Sequence, residues 1–354
     1  MRVLTLTRYS SLGSSSRVRF YQFIPYLRSV GMEFQVAPFF GNDYVRNLYA
    51  GNRQPLRSVF TAYLGRLKAL VNSRHFDLLW VEKELLPWLP AYAENLFLRN
   101  GLPCVVDYDD AVFHRYDRHK NPLIRALLGK KIDAIMHRAA TVVVGNEYLA
   151  DRARNAGAGK IACLPSVVDI NRYTVKQKAE EQFRIGWIGS PVTAPYLGLV
   201  RDALKDVIDR TGASLVLVGA GEQDPLPGVS KDILAWNEES EVAHLQSFDV
   251  GIMPLPDGPF EQGKCGYKLI QYMACGLPVI ASPVGVNTRI IEQGKTGFLA
   301  SSHADWVQAL TRLSEDAGMR FTLGGAGRRK VEQDYSLQVT APLLQAILTQ
   351  ALSG

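Results

Sequence analysis

Short runs of β-branched and apolar residues alternate with helically spaced apolar positions along the whole chain, the rhythm of parallel strands joined by crossover helices. In the first half the runs predict strands at Val3–Thr7, Phe34–Phe39, Leu78–Glu82, Cys104–Tyr108, Thr141–Val144 and Ile161–Leu164. In the second half they predict Arg184–Ile188, Ser214–Val218, Ile233–Trp236, Gly251–Leu255, Val279–Ala281 and Gly297–Ala300. Phe20, Phe23, Ile24 and Leu27 stand at helical spacing before Gly31, and Val200, Ala203, Leu204, Val207 and Ile208 do so before Gly212. Each set predicts a helix with a glycine stop.

The rhythm runs through twice, so the expected class is α/β with two Rossmann-like domains. Residues 1–165 form the first and 183–335 the second, joined by a linker over 166–182 whose composition is polar after Thr174. A closing helix within 336–354, roughly Leu337–Leu352, has no strand after it and is free to fold back onto the first domain. A chain of 354 residues, 47% hydrophobic, is long enough for two cores. No apolar run approaches the ~20 residues of a membrane helix. The opening Met1–Thr7 reads as a first strand rather than a signal peptide, and the four cysteines show neither disulfide nor metal-ligand spacing. A reducing cytoplasm is the expected setting.

Charge changes this picture. Residues 1–165 hold 23 Lys and Arg against 13 Asp and Glu, whereas residues 166–354 hold 17 against 21, the two halves making the net +6. No nucleic-acid module accompanies the basic half, so nucleic acid is not expected as a partner. An anionic membrane surface or an acidic, lipid-linked substrate is expected instead. One basic run is Arg46, Arg53, Arg57, Arg66, Lys68 and Arg74, interleaved with Tyr49, Phe60, Tyr63, Leu64 and Leu67. A second is Arg115, Arg118, Lys120, Arg125, Lys130 and Lys131. A solvated helix face is the alternative for either run.

Ligands of open parallel sheets bind beyond the carboxyl ends of the strands. The loops there are small and polar: Gly13, Ser14, Ser15, Ser16 and Arg17 in the first domain, and Gly189, Ser190 and Thr193, then Gly219, in the second. Such residues let backbone amides approach a phosphate. Trp236, closing the next expected strand, joins them as a candidate for the donor site.

Asp257–Asn287 is richer. Gly263 and Gly266 are expected to open a helix that Gly276-Leu277-Pro278 closes, with Lys264, Lys268 and Gln271 on one face at i, i+4 and i+7. Tyr267, Ile270 and Ala274 share an inward face. Two ammonium groups near a helix N-terminus suit a diphosphate leaving group. In the first domain, Asp107-Tyr108-Asp109-Asp110 and His114 end the fourth strand. Asp109, Asp110 or His114 is expected to orient an acceptor hydroxyl or take its proton, with a capping role as the alternative.

Gln271-Tyr-Met-Ala-Cys-Gly-Leu-Pro-Val-Ile-Ala-Ser282, then Gly285, Ile291-Glu292 and Gly294-Lys-Thr-Gly-Phe-Leu299, resemble the carboxyl half of the retaining nucleotide-sugar glycosyltransferases of family 4. Ser247–Leu255, Leu217–Gly221 and Pro165–Asp169 sit where that family has comparable segments. The resemblance implies a GT-B fold, its two parallel sheets facing across a cleft, and transfer from a nucleotide diphosphate sugar with retention of configuration. It implies a saccharide or lipid-linked acceptor, surface polysaccharide or glycolipid assembly at a cytoplasmic membrane face, no cofactor and no metal. The family's two motif glutamates fall on Gly263 and Gln271, so Glu261 or Asp257 is expected to substitute at the sugar. The basic residues often found after the domain's first strand are absent from Gly189–Thr193, leaving Lys264 and Lys268 to supply charge. The Asp107-x-Asp109 pair resembles the metal site of a different glycosyltransferase fold and is discounted as one. A sugar-nucleotide-binding protein without transfer activity, or an epimerase of the same fold, are the rival readings.

Overall fold

The computed structural model describes residues 1–49, 51, 55–98, 101–175 and 182–352, so Arg53 and most of the polar end of the expected linker lie outside the described residues. The chain forms two units: Met1–Ser166 with Gln262–Cys265 and Thr340–Gly354, and Val167–Glu261 with Gly266–Val339.

In the first unit, β1 (Arg2–Leu6), β2 (Glu33–Val36), β3 (Leu78–Glu82), β4 (Cys104–Tyr108), β5 (Thr141–Val144) and β6 (Ile161–Cys163) make one parallel sheet in the order β2-β1-β3-β4-β5-β6. Every residue of β3, β4 and β5 is buried, as expected for strands covered on both faces. Trp80 anchors the core, its ring 4.3 Å from that of Phe20.

The second unit repeats the plan. Its strands β7 (Arg184–Ile188), β8 (Ser214–Val218), β9 (Asp232–Leu234), β10 (Val250–Met253), β11 (Val279–Ala281) and β12 (Gly297–Leu299) pair in the order β12-β11-β10-β7-β8-β9, all parallel. In each sheet the first strand has its successor on one side and a later strand on the other. The reversal falls between β1 and β3 in one unit and between β7 and β10 in the other. The crevice beyond the carboxyl ends of such strands is where this architecture takes ligands.

Several expected boundaries shift. The strand expected over Phe34–Phe39 stops at Val36, although Phe39 N still donates to Thr7 O at 2.9 Å beyond Pro38, and that expected over Gly251–Leu255 stops at Met253, where Pro254 has no N–H to give a ladder. The strand expected at Ile233–Trp236 is Asp232–Leu234, which leaves Trp236 beyond the sheet. The helix expected through Phe20 to Leu27 is two pieces, a π turn at Arg17–Tyr21 and a helix at Ile24–Ser29. Pro25 cannot bond back to the preceding turn, yet Phe20, Phe23, Ile24 and Leu27 are all buried as their spacing requires. The helix Arg201–Thr211 ends at Gly212 with φ +68°, the left-handed stop its sequence announces. The final helix spans Leu337–Gln350, and within the first unit Tyr26 Oη donates to Gln345 at 3.3 Å. Among the described residues, no helix is long and apolar enough to cross a membrane.

Candidate functional site

In the first unit the carboxyl ends of β1, β3 and β4 converge on a cluster of buried charges. The chain turns sharply after β3: Lys83 has φ +67° and Glu84 N bonds back to Glu82 O at 2.7 Å. Three successive charged side chains thereby enter the cluster. Glu82 Oε2 accepts from Ser16 Oγ at 2.6 Å and from Arg8 N at 2.7 Å. Glu84 accepts from Lys131 Nζ at 2.6 Å, Tyr116 Oη at 2.8 Å and Arg8 Nη1 at 3.3 Å. Lys83 Nζ lies 2.8 Å from Asp109 Oδ1 and donates to Ser15 Oγ at 3.4 Å. Burial opposes the Asp109 charge, but Lys83 first, then Ser15 and Arg19, outweigh it and draw the carboxyl down to about 2.

The expected first-domain candidates separate here. Asp107, whose strand end was expected at the site's edge, is fully buried and receives Arg19 in a two-pronged pair, Nε to Oδ1 at 2.8 Å and Nη2 to Oδ2 at 3.1 Å. Both ring nitrogens of His114 have partners, Nδ1 with Asp117 Oδ1 and Nε2 with Tyr148 Oη, each at 2.8 Å. Ser16 is buried beneath the loop, its hydroxyl also accepting from Tyr9 N, whereas Ser14 is exposed and Ser15 half-buried. Gly13 meets the Tyr9 side chain, and Arg17 reaches Ser11 O at 3.5 Å.

One expectation fails outright. Lys264 is not on the helix with Lys268 and Gln271, because that helix is Tyr267–Ala274 and Gly266 is its cap. Residues 262–265 pack instead with the first unit. Asn146 Nδ2 donates to Gly263 O and Lys264 O, each at 2.9 Å, and Cys265 Sγ donates to Asp109 O at 3.1 Å. A side chain at Gly263 would lie 2.5 Å from Ala111 Cβ, so this position is glycine for close approach. Lys264 Nζ stands 3.5 Å from Asp110 Oδ1. The i, i+4 periodicity of the two lysines carried no sign of this, since the separation is made by residues more than a hundred positions away.

In the second unit the remaining candidates come together beyond β7 and β8. Gly219 has φ +76°, and a side chain there would lie 2.6 Å from Gly189 O and 3.1 Å from Trp236 Cβ. A side chain at Gly189 would meet the Trp187 ring at 2.4 Å and Lys268 Cε at 2.9 Å. The Lys268 ammonium sits 5.6 Å from the centroid of that ring, on the first turn of its helix. Ser190 and Thr193 close the adjoining turn, Thr193 N donating to Ser190 O at 2.9 Å. Glu261 accepts from the Tyr196 hydroxyl.

Behind this edge runs a relay absent from the sequence reading. Gln271 Nε2 donates to Tyr173 Oη at 3.2 Å, Tyr173 Oη donates to Glu241 Oε1 at 2.6 Å, and Trp236 Nε1 donates to Glu241 Oε2 at 2.8 Å. Gln271, Tyr173 and Glu241 are all buried. The helix therefore does not present Gln271 to water, whereas Lys268 is half-buried. Nothing local marks Glu241, one of three glutamates within residues 238–241, or Tyr173, in the stretch between the two halves, as partners of Gln271. Arg8 and Glu82-Lys83-Glu84 did carry a signal, charges directly abutting apolar strand runs.

Residues 182–316 match the model of the Glycosyl transferases group 1 family. The chain is 31% identical over 130 residues to a D-inositol 3-phosphate glycosyltransferase of Paenarthrobacter aurescens, covering 36% of this chain and 28% of that one. The chain thus spans well under two thirds of the curated relatives it matches, 53% of another D-inositol 3-phosphate glycosyltransferase, from Actinosynnema mirum. Among solved structures, sucrose-phosphate synthase from Thermosynechococcus elongatus superposes with a TM-score of 0.75 at 17% identity, covering 100% of this chain and 99% of that one. Anabaena HepE, solved in complex with UDP-glucose, gives 0.74 at 15% identity, covering 99% and 100%. Two six-stranded parallel sheets with these neighbours define a GT-B fold. The match to the group 1 glycosyltransferases covers residues 182–316 alone.

Proposed function

We propose that this protein transfers a sugar from a nucleotide diphosphate donor to a saccharide or lipid-linked acceptor. The observation that carries the reading is Lys268. It is an ammonium on the first turn of a helix, lying along Gly189 within the stretch that matches the family model. A cation and a helix N-terminus together favour a diphosphate and stabilise it as it leaves. Gly189, Ser190, Thr193, Gly219, Trp236, Glu261 and Gly266 form the donor edge of the second unit, with Gln271 buried behind it. Asp109, Asp110 and the Gly13–Arg17 loop form the acceptor edge of the first, with Lys264 beside Asp110. The configuration of the sugar is retained, following the resemblance of Gln271–Leu299 to retaining enzymes. No metal is required, because Lys268 and the helix end take the phosphate charge while Asp107 and Asp109 are already held by Arg19 and Lys83. The setting proposed is surface polysaccharide or glycolipid assembly, cytoplasmic and peripheral to the membrane.

The test is a donor-hydrolysis and transfer assay across nucleotide sugars in excess EDTA, with the anomer of the product read by NMR. Lys268→Ala should slow turnover by roughly two to three orders of magnitude. Turnover within a factor of about three of the parent, with an unchanged melting profile, would overturn the assignment. Donor binding without turnover would make this a sugar-nucleotide-binding protein.

A further inference from the structure

One face of the first unit keeps large apolar side chains in water. On the helix Leu56–Val71, the residues Leu56, Phe60, Leu64, Leu67 and Val71 are all exposed, Leu56 by 87% and Val71 by 69%. At about 100° per residue, their spacing confines them to a stripe about 80° wide. Leu70 and Arg66 lie about 40° and 80° beyond one margin of the stripe and are buried. Arg66 was expected among the surface cations, yet its Nη2 donates to Thr7 O at 2.6 Å and its guanidinium lies over the Phe39 ring. Arg57 and Lys68 remain exposed, directly flanking the stripe.

The stripe continues on neighbouring elements. Tyr63 bonds Pro87 O, and the next residue, Trp88, has its ring 5.2 Å from that of Tyr116 and 6.0 Å from that of His119. Arg125 Nη1 in turn donates to His119 O at 2.7 Å, tying on the helix Pro122–Leu128. Trp88 is half exposed, and Leu123 and Leu127, one turn apart, are each 69% exposed. Lys120, Arg125 and Lys130 stand exposed around them. Single exposed apolar residues are ordinary, but helically spaced rows joined through one aromatic contact make a patch.

We propose that this face docks on an anionic lipid bilayer, its apolar side chains seated at the headgroup boundary and its cations among the lipid phosphates. Charge selects the occupant. From residue 44 to 76 the chain has no Asp or Glu, and Arg57, Lys68, Lys120, Arg125 and Lys130 stand exposed beside the apolar rows, so a second copy meeting the face across a two-fold axis would set like charges together. Anionic lipid supplies opposite charge over an apolar interior, and an exposed tryptophan suits that boundary. The inference rests on the first unit alone and stands or falls apart from the transfer reading.

The test is co-sedimentation of the whole protein with phosphatidylcholine vesicles, with and without phosphatidylglycerol, from low salt to about 1 M, where the Debye length is ~3 Å. Anionic vesicles should bind at least about tenfold more than neutral ones at low salt, with the preference shrinking as salt rises. Phe60→Ser with Leu64→Ser, both at exposed positions, should weaken binding about tenfold with an unchanged melting profile. Arg57→Gln with Lys68→Gln should weaken it on anionic vesicles only. Equal recovery on both lipids, none on either, or no response to Phe60→Ser with Leu64→Ser would overturn the proposal. So would self-association in sedimentation velocity that this pair abolishes, which would assign the face to a second copy, or the absence of vesicle binding alongside capture of an acidic protein.

Discussion

The two sheets share one plan, with a topological reversal beside the first strand, but their carboxyl edges are furnished in opposite ways. Beyond β1, β3 and β4 lie the protein's own ions: Arg8 and Lys131 meet Glu84 and Lys83 meets Asp109 at 2.6–3.3 Å, while Glu82 accepts from Arg8 N and the Ser16 hydroxyl. Beyond β7 and β8, glycines hold the backbone close, and behind them lies a relay that ends on a single carboxylate, Glu241. A site crowded with paired charges is pre-shaped, and within it Lys83 holds the Asp109 carboxyl below the usual carboxylate range. At an edge lined by glycine the backbone segments approach closely, and Lys268 lies against Gly189 and Trp187. The strand orders differ, but the reversal beside the first strand is common to both, and the side chains at the strand ends make the two edges chemically unlike.

If the first edge depends on ion pairing, breaking a pair there should be costly. Arg19→Met leaves Asp107 buried without its partner and should lower stability by about 3–5 kcal/mol in a chemical denaturation series. Arg19→Met combined with Asp107→Leu should recover most of that, since the stranded charge is gone. A single variant within about 0.5 kcal/mol of the parent would show that the cluster is not electrostatic in the sense described.

The second prediction concerns acid. Asp109 titrates at about 2 in the folded chain against an ordinary 3.8. A depressed carboxylate stabilises the fold above its unfolded pKa and loses that contribution as pH falls through its folded one. The window is therefore pH 4 down to 2, and the contribution about 2 kcal/mol. Lys83→Met removes the largest charge favouring the ionised form, so stability should vary less with pH across this window than in the parent. An identical acid limb in both proteins would detach Asp109 from Lys83.

The smallest effect is expected at the second edge. Gln271→Leu removes one neutral hydrogen bond to Tyr173 and should cost about 1 kcal/mol, well below the loss at Arg19. A loss as large as that of Arg19→Met would erase the contrast between the two edges. Donor affinity measured alongside reports whether the relay also holds Trp236 in place for the donor.

Much of the plan was legible because it depends on residues near one another in the chain. Alternating apolar runs sufficed for twelve strands, and positive φ at Gly212 and the helix–turn–strand from Tyr267 to Ala281 follow from local composition. Pro25 and Pro254 moved boundaries by a local rule that outweighs periodicity. What only the tertiary structure decided is which charges meet. Lys264 and Lys268, four residues apart, part company because Asn146 and Ala111 hold residues 263–265 to the first unit. Arg66 and Lys68, two apart in one basic run, differ completely in exposure because opposite sides of a helix meet core and solvent. Asp107 and Asp109 sit two apart and receive different cations, Arg19 and Lys83, each brought by another strand or loop. Secondary structure follows from the local backbone and its pattern of apolar positions. The partner of a buried ion comes from wherever the fold brings opposite charge within about 3 Å, and a single sequence has no local mark for that distance.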